Sequence, residues 1–181
     1  MKMIRTIIAL TLLTFSFSGC DKAEDLLDFD LDFSLDETFP VVSESEGDVT
    51  YEGTRTINIT DDGNVSSNLD NIKDYEVEMV TITVTNLVTD GTTNPSISNM
   101  VFAMTHSTGN ITIESTSVLS LATLQAAGAT DLSLDPSILQ AIKDMFVAGG
   151  GITLGAVATV QDGPASFDLT ISIVGKITIA P

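Results

Sequence analysis

Residues 167–179 carry an apolar side chain at nearly every second position. The apolar members are Phe167, Leu169, Ile171, Ile173, Ile177 and Ile179, and Gly175 occupies the remaining position. Because successive side chains of a strand point to opposite faces, this period predicts a β-strand with one apolar face. Gly175 is expected to mark close packing or a kink.

The same period-two pattern recurs along most of the chain. Residues 27–35 alternate Leu or Phe with acids, and further strands are predicted near residues 49–59, 75–84, 100–104 and 111–113. A change of phase at Met79 and Val80 predicts a β-bulge. Turns are predicted at residues 61–64 and 106–109. We expect residues 152–160 to pair with the last strand through residues 161–164, as a C-terminal hairpin.

One stretch has the helical period instead. Asp135 and Pro136 are typical of an N-cap and a first helical position, and apolar residues then recur at helical spacing up to the glycines at 149–151. These glycines end the predicted helix. Residues 118–127 favour a shorter helix or turn. The pattern predicts one helical crossover near residues 118–147, packed over an end or face of the sheets.

The length of the chain and the spacing of its predicted turns limit the possible architectures. About 155 residues follow the N-terminal segment, which is enough for one domain with one core. Seven or eight strands with turns every 8 to 12 residues or so predict a mainly β fold, an antiparallel β-sandwich of immunoglobulin-like architecture, as a single domain over residues 27–181. The chain has one cysteine and no tryptophan, so it lacks the markers of true immunoglobulin domains.

The N-terminal segment is organised like a signal peptide. Lys2 and Arg5 precede an uncharged, mostly apolar run over residues 6–17. Such a run spans about 18 Å as a helix, whereas the hydrocarbon core of a bilayer is roughly 30 Å thick. The pattern therefore predicts a cleaved signal and not a transmembrane anchor.

The residues that close this segment, Phe17-Ser18-Gly19-Cys20, resemble the lipobox of bacterial lipoproteins, with Phe17 where that pattern prefers Leu. The resemblance covers residues 1–20. It implies that residues 1–19 are removed, that the sole cysteine, Cys20, is lipidated, and that residues 20–26 form an acidic tether. The alternatives are an ordinary secretory signal with a cysteine near the cut, or a free buried thiol.

The run Cys20–Asp25 contains three acids and Lys22. It is similar to the acidic, lysine-containing run of surface-exported lipoproteins of Bacteroidota, and the C-terminal half loosely resembles uncharacterised small lipoproteins of marine Bacteroidota. These resemblances imply an outer-membrane, lipid-anchored protein at the cell surface. The alternative is the periplasmic face of a membrane, because Asp directly after the cysteine favours inner-membrane retention in enterobacteria. A plain solvated tether is the third interpretation.

The chain is strongly acidic. It has seven basic and 25 acidic residues, and without Lys2 and Arg5 only five basic residues remain against the 25 acids. Such a field disfavours nucleic acid and anionic head groups as partners. The partners we expect are the membrane, through the N-terminal lipid, and another envelope protein.

Asp28, Asp30 and Asp32 are weak candidate metal ligands. An EF-hand loop begins with Asp at alternate positions but needs Gly at its sixth place and Glu at its twelfth, where this chain has Phe33 and Phe39. The motif fails. A weak calcium site completed by a neighbouring loop is left as an alternative to a solvated acidic face.

Residues for catalysis are few. His106 is the only histidine, its neighbour Ser107 would point to the opposite face of a strand, and no Gly-x-Ser-x-Gly motif is present. We interpret His106 as a polar turn residue. A glycosidase-type pair of carboxylates is left as an open interpretation. The chain offers no tryptophan and only two tyrosines as a platform for sugar. No cofactor and no enzyme activity are expected.

These observations predict a non-enzymatic, lipid-anchored cell-envelope protein that acts by surface interaction, in adhesion or as a subunit of an envelope assembly. The alternative is a binding module for a small apolar ligand or calcium, with the Ala-rich segments 121–129 and 156–158 leaving room between helix and sheet. An enzyme is the third class.

Overall fold

The computed structural model describes residues 28–45 and 47–180. In chain order the strands are β1 (Phe29–Ser43), β2 (Val49–Asn58), β3 (Ile72–Thr89), β4 (Ser96–His106), β5 (Gly109–Ser115), β6 (Leu119–Ser120), β7 (Thr130–Asp131), β8 (Gly151–Gln161) and β9 (Ala165–Ile179). The α-helices are α1 (Gly63–Asn68), α2 (Leu121–Ala127) and α3 (Pro136–Ala148), and 3-10 turns at Ile59–Asp61 and Leu69–Asn71 flank α1.

Two antiparallel sheets form the body of the protein. The first sheet has the strand order β1-β9-β3-β7, and the second has the order β2-β8-β4-β5 with β6 also paired to β4. The predicted antiparallel β-sandwich is confirmed. The predicted helical crossover is confirmed as well, since α2 and α3 both lie between β6 and β8.

Strands that follow one another along the chain mostly lie in opposite sheets. The link from β4 to β5 is a hairpin within one sheet, whereas β1 to β2, β2 to β3, β3 to β4 and β8 to β9 all cross between the sheets. This is the strand order of a jelly roll, two Greek keys folded into a double sheet. The likeness to immunoglobulin domains therefore stops at the two-sheet architecture, because those domains pair strands in the orders ABED and CFG.

The expected C-terminal hairpin is wrong. β8 pairs with β2 and β4, while β9 pairs with β1 and β3 in the other sheet. Each strand is central, with neighbours on both sides, so neither has a free edge to offer the other. Pro164 lacks the N–H that a continuing ladder would need, and the link at residues 161–164 carries the chain across the core.

β9 supplies a large part of the core. Its odd-numbered side chains face inward and are buried from Ala165 to Ile179, as the alternation predicted. They meet the inner residues of the second sheet, among which Met104, Ile152 and Leu154 are almost completely buried. The even-numbered residues of β9 form the outer surface of the first sheet.

β1 is the edge strand of the first sheet and has the predicted amphipathic pattern. Phe33 and Leu35 are buried, and the alternating acids lie on the outer face. The N–H of Ser34 and the C=O of Asp32 point away from β9, toward Asp62 and Asn64. The backbone N–H and C=O groups of the other even-numbered residues of β1 also point away from β9. Pro40 is one of them, so its missing N–H costs the sheet no hydrogen bond.

The predicted turn at residues 61–64 is a longer helical connection, because the chain must pass from β2 in one sheet to β3 in the other. The Asp62 carboxylate caps α1 by accepting hydrogen bonds from the backbone N–H groups of Asn64 (2.8 Å) and Val65 (3.1 Å). It also accepts one from the N–H of Ser34, at 3.1 Å. Asn64 donates to the C=O of Asp32 at 2.6 Å. The connection is thereby fixed to the free edge of β1.

The sandwich has two ends that differ in what they carry. The N-terminal end, where β1 begins and β9 finishes, also holds residues 59–71, the 106–109 turn and residues 149–151. The far end holds the connections 44–48, 90–95, 116–118 and 161–164.

The predicted bulge is present in β3, where the pairing with β9 shifts between Val77 and Met79. Gly175 of β9 lies beside it, opposite Val77 and Phe33. A Cβ atom at residue 175 would lie 2.8 Å from Cε1 and Cζ of the Phe33 ring and would collide with the carbonyl oxygen of Glu76. Close packing, and not a kink alone, therefore requires glycine here.

We expect Gly175→Ala to lower the free energy of unfolding by about 1–3 kcal/mol, because the added methyl group overpacks the core. The matched control is Gly155→Ala in β8, where the nearest atom to an added Cβ is 3.8 Å away. This control should be neutral or slightly stabilising. Urea denaturation of both variants gives the comparison, and equal stability of the two would contradict this packing.

Candidate functional site

The predictions that concern the N-terminus lie outside the described residues. They are the signal peptide at residues 1–19, the tether at residues 20–26 and the lipidation of Cys20. Within the described part of the chain, no helix is long and apolar enough to cross a bilayer.

The three candidate metal ligands lie at the start of β1, and each has a different neighbour. Asp28 forms an ion pair with Lys73 at 2.8 Å. Asp30 accepts a hydrogen bond from Oγ1 of Thr178 at 2.8 Å, and Asp32 lies opposite Lys176 in the β1–β9 register. Across residues 28–45 and 47–180, no three His, Cys, Asp or Glu side chains are grouped so that they could share a metal ion.

A row of charges crosses the outer face of the first sheet near its N-terminal end. Lys176 of β9 lies in register between Asp32 of β1 and Glu76 of β3, and its Nζ donates to Glu78. The hydrogen bond to Glu78 and the surrounding carboxylates raise the pKa of Lys176 above its usual value. A shallow depression of about 660 Å³ overlies this row. The single cation thus neutralises part of an otherwise acidic face.

A second cleft, of about 380 Å³, separates α3 from the edge of β3. The Lys143 ammonium of α3 contacts the Asp74 carboxylate across it at 2.8 Å. This hydrogen bond lowers the pKa of Asp74 below the ordinary 3.8, and a hydrogen bond from the backbone N–H of Tyr75 adds to the effect. The pair joins the crossover helix to the first sheet.

The third cleft, of about 280 Å³, lies at the N-terminal end. Leu69, Tyr75, Phe146 and Val147 line it, together with backbone at residues 149–150. Burial raises the pKa of the Tyr75 hydroxyl above its usual value of 10.0. Phe146 reaches inward from this cleft and packs edge-on against Phe33, with 5.9 Å between ring centroids. The core therefore approaches the surface at this end.

His106 joins two elements at the N-terminal end. Its Nε2 lies 2.8 Å from the carbonyl oxygen of Gly149, which ends α3, and its Nδ1 lies 2.8 Å from Oγ1 of Thr108. Because a carbonyl oxygen only accepts, Nε2 donates, and in the neutral ring Nδ1 accepts from Thr108. His106 closes the β4–β5 turn, as predicted, and also holds the C-terminus of the crossover helix, which the sequence did not indicate.

The two Ala-rich segments differ in burial, since the alanines of residues 121–129 are exposed. Ala156 and Ala158 of β8 are buried in the core, and Leu121 and Leu124 of α2 are buried as well. Among the described residues, one buried side-chain atom, Oγ of Ser98, lacks a hydrogen-bond partner; Ser98 precedes the register shift in β4. None of these residues lines one of the three clefts described above.

Charge is distributed unevenly between the two ends. All four basic residues of the described part, Arg55, Lys73, Lys143 and Lys176, lie on the side of the N-terminal end. The far-end connections contain Glu44, Asp48, Asp90 and Asp162 and, in their described residues, no base. Asp90 accepts hydrogen bonds from Thr92 and Thr93, which lower its pKa and keep it ionised. The bases of the described part thus lie toward one end, and the far-end connections carry acids alone in their described residues.

Comparison with known proteins identifies no family. No protein-family model matches the chain, and no curated protein does. A solved structure described as "Desmodium yellow mottle tymovirus" is 11% identical, with 83% of this chain and 84% of that chain covered, at a TM-score of 0.34. A likeness at that level carries no argument about fold or function.

We expect Lys143→Gln to lower the free energy of unfolding at neutral pH by less than about 1 kcal/mol, since the Asp74 side chain is 59% exposed and water screens the ion pair. The pKa of Asp74 is lowered on folding, so the stabilisation is present above the unfolded value of 3.8 and is lost as pH falls through the folded value. The difference between variant and parent should therefore vanish in acid.

The conservative control is Lys143→Arg, which keeps the charge and should stay close to the parent protein at each pH. Denaturation at a series of pH values gives the comparison. A Lys143→Gln deficit that persists unchanged in acid would assign the effect to packing of the lysine stem and not to the ion pair.

Proposed function

We propose that this protein is a non-enzymatic, lipid-anchored cell-envelope protein whose β-sandwich acts by surface interaction, in adhesion or as a subunit of an envelope assembly. The proposal includes lipidation of Cys20 and a place in the outer membrane, at the cell surface, as in the Bacteroidota lipoproteins that its N-terminus resembles. The periplasmic face of a membrane is the alternative location.

The observation that carries the proposal is the sequence Phe17-Ser18-Gly19-Cys20 after a basic start and a short apolar run. A single acyl chain gives marginal membrane binding, whereas two or more give stable attachment. The described domain begins within nine residues of this cysteine, at Phe29 in the N-terminal end of the sandwich. An anchor there would leave the far end, with its four loop connections, directed away from the lipid.

The arrangement of the side chains supports binding more than catalysis. His106 is engaged with Thr108 and with the backbone of Gly149, and its role is to join two elements. Asp28 pairs with Lys73, Asp30 accepts a hydrogen bond from Thr178, and Asp32 lies opposite Lys176 in the sheet. In jelly-roll and related sandwiches the loops at one end are held by a rigid body, which suits them for recognition. The acidic far end would favour a partner with a cationic surface.

The experiment compares Cys20→Ser with Ser16→Ala, a change in the same signal segment but outside the four-residue pattern. We expect the parent protein and Ser16→Ala to fractionate with the outer membrane, with a mature N-terminus at Cys20 whose mass includes acyl chains. Cys20→Ser should lose both the acyl mass and the membrane fractionation. Protease treatment of intact cells should degrade the two anchored forms if they face outward.

Chemical cross-linking of the same cells tests the interaction. Discrete cross-linked species should form with the anchored forms and be lost with Cys20→Ser, which is displaced from its partners. An unmodified thiol at Cys20, or a mature N-terminus elsewhere, would refute the anchor. Anchoring without any cross-linked species, together with a melting temperature raised by calcium, would favour the alternative of a binding module.

A further inference from the structure

The apolar surface of the N-terminal end consists of side chains that are far apart in the sequence. Phe29 of β1 is 49% exposed, Leu69 before β3 is 49% exposed, and Val147 near the end of α3 is 60% exposed. Single exposed apolar side chains are common on protein surfaces. Here Leu69 and Val147 line one cleft together with Tyr75 and Phe146, and Phe29 stands at the rim of the core at the same end.

The length of the chain before β1 limits how far this end can lie from an anchor. Eight residues separate Cys20 from Phe29, and a fully extended chain covers at most about 3.5 Å per residue. If Cys20 is lipidated as proposed above, the N-terminal end therefore lies within roughly 30 Å of the lipid surface. The far end is separated from it by the length of the strands.

Ion pairs reduce the acidic charge of the N-terminal end. Three of the four bases in the described part form ion pairs at the N-terminal end, Lys73 with Asp28, Lys143 with Asp74 and Lys176 with Glu78. These pairs neutralise part of the acidic field there. The far-end connections have acids and no base in their described residues, so no such neutralisation occurs within them.

We propose that the N-terminal end of the sandwich rests on the lipid surface, with Phe29, Leu69 and Val147 inserted at the level of the head groups. This inference rests on the proposed lipid anchor and adds the orientation of the domain. Apolar side chains favour the boundary between head groups and acyl chains, and the remaining acids make a zwitterionic surface the better partner. The far-end loops then point away from the membrane.

Tryptophan fluorescence tests this orientation cleanly, because the chain contains no tryptophan. Phe29→Trp and Val147→Trp each place one indole at the N-terminal end. Val88→Trp and Val118→Trp are the matched controls at the far end, with parent side chains that are 64% and 63% exposed. The lipidated, full-length forms are reconstituted into phosphatidylcholine vesicles whose acyl chains are partly brominated, since bromine quenches indole emission over a short range.

We expect emission from Phe29→Trp and Val147→Trp to be quenched at least about twofold more than emission from the two controls, because side chains inserted at the interface approach the acyl chains closely. Two reporters on separate elements guard against a local disturbance at either one, and unchanged melting temperatures confirm folding. Equal quenching at both ends, or none at either, in protein that floats with the vesicles would overturn this orientation alone. Failure of the parent protein to float with the vesicles would refute the lipid anchor itself, and this inference with it.

Discussion

The pairing of β9 with strands on both sides is the constraint on which the rest of the structure depends. β9 bonds to β1 along fifteen residue pairs and to β3 along most of its length, so the C-terminal strand is the centre of the first sheet. Its inward side chains form one half of the core, and its Gly175 leaves the space that Phe33 fills. Because β1 and β9 are neighbours in the sheet, the core is incomplete until β9 is available.

This pairing also decides what each end of the sandwich carries. Because β1 and β9 are antiparallel, the start of the domain and its final residues lie at the same end, beside α1 and the finish of α3. The ion pairs of Lys73, Lys143 and Lys176 lie there, whereas the far-end connections contain acids and no base in their described residues. The positions of the start of the domain, of α1 and of these ion pairs therefore follow from one topological arrangement.

The sequence was sufficient to predict strands, faces and the crossover helix, because these depend on local periodicity. The alternation in residues 167–179, the bulge near Met79 and the Pro136 start of α3 all appear in the structure as predicted. Strand partners could not be predicted in the same way. A period of two says which side chains share a face but not which strand lies alongside, and β9 and β1 are separated by most of the chain.

The apolar surface of the N-terminal end could not be predicted from the sequence either. Phe29, Leu69 and Val147 belong to a strand, a 3-10 turn and a helix, and only the fold brings them to one end. The clustering of lysines at that end was equally hidden, because the four bases of the described part are widely spaced in sequence. The proposed anchor motif is different. It is a local pattern of four residues, so it can be recognised in the sequence without the fold.

The most direct test of the β1–β9 pairing is a cross-strand disulfide. Thr38 and Thr170 face each other on the outer surface, with 2.9 Å between their hydroxyl oxygens, and belong to a pair whose backbone groups do not bond to one another. In a Cys20→Ser background, Thr38→Cys with Thr170→Cys should oxidise to a disulfide, detected by the mass of the bridged peptides. The pair Thr159→Cys with Ser166→Cys, which a β8–β9 hairpin would bring together, should stay reduced. A disulfide in the second pair and none in the first would contradict the fold described here.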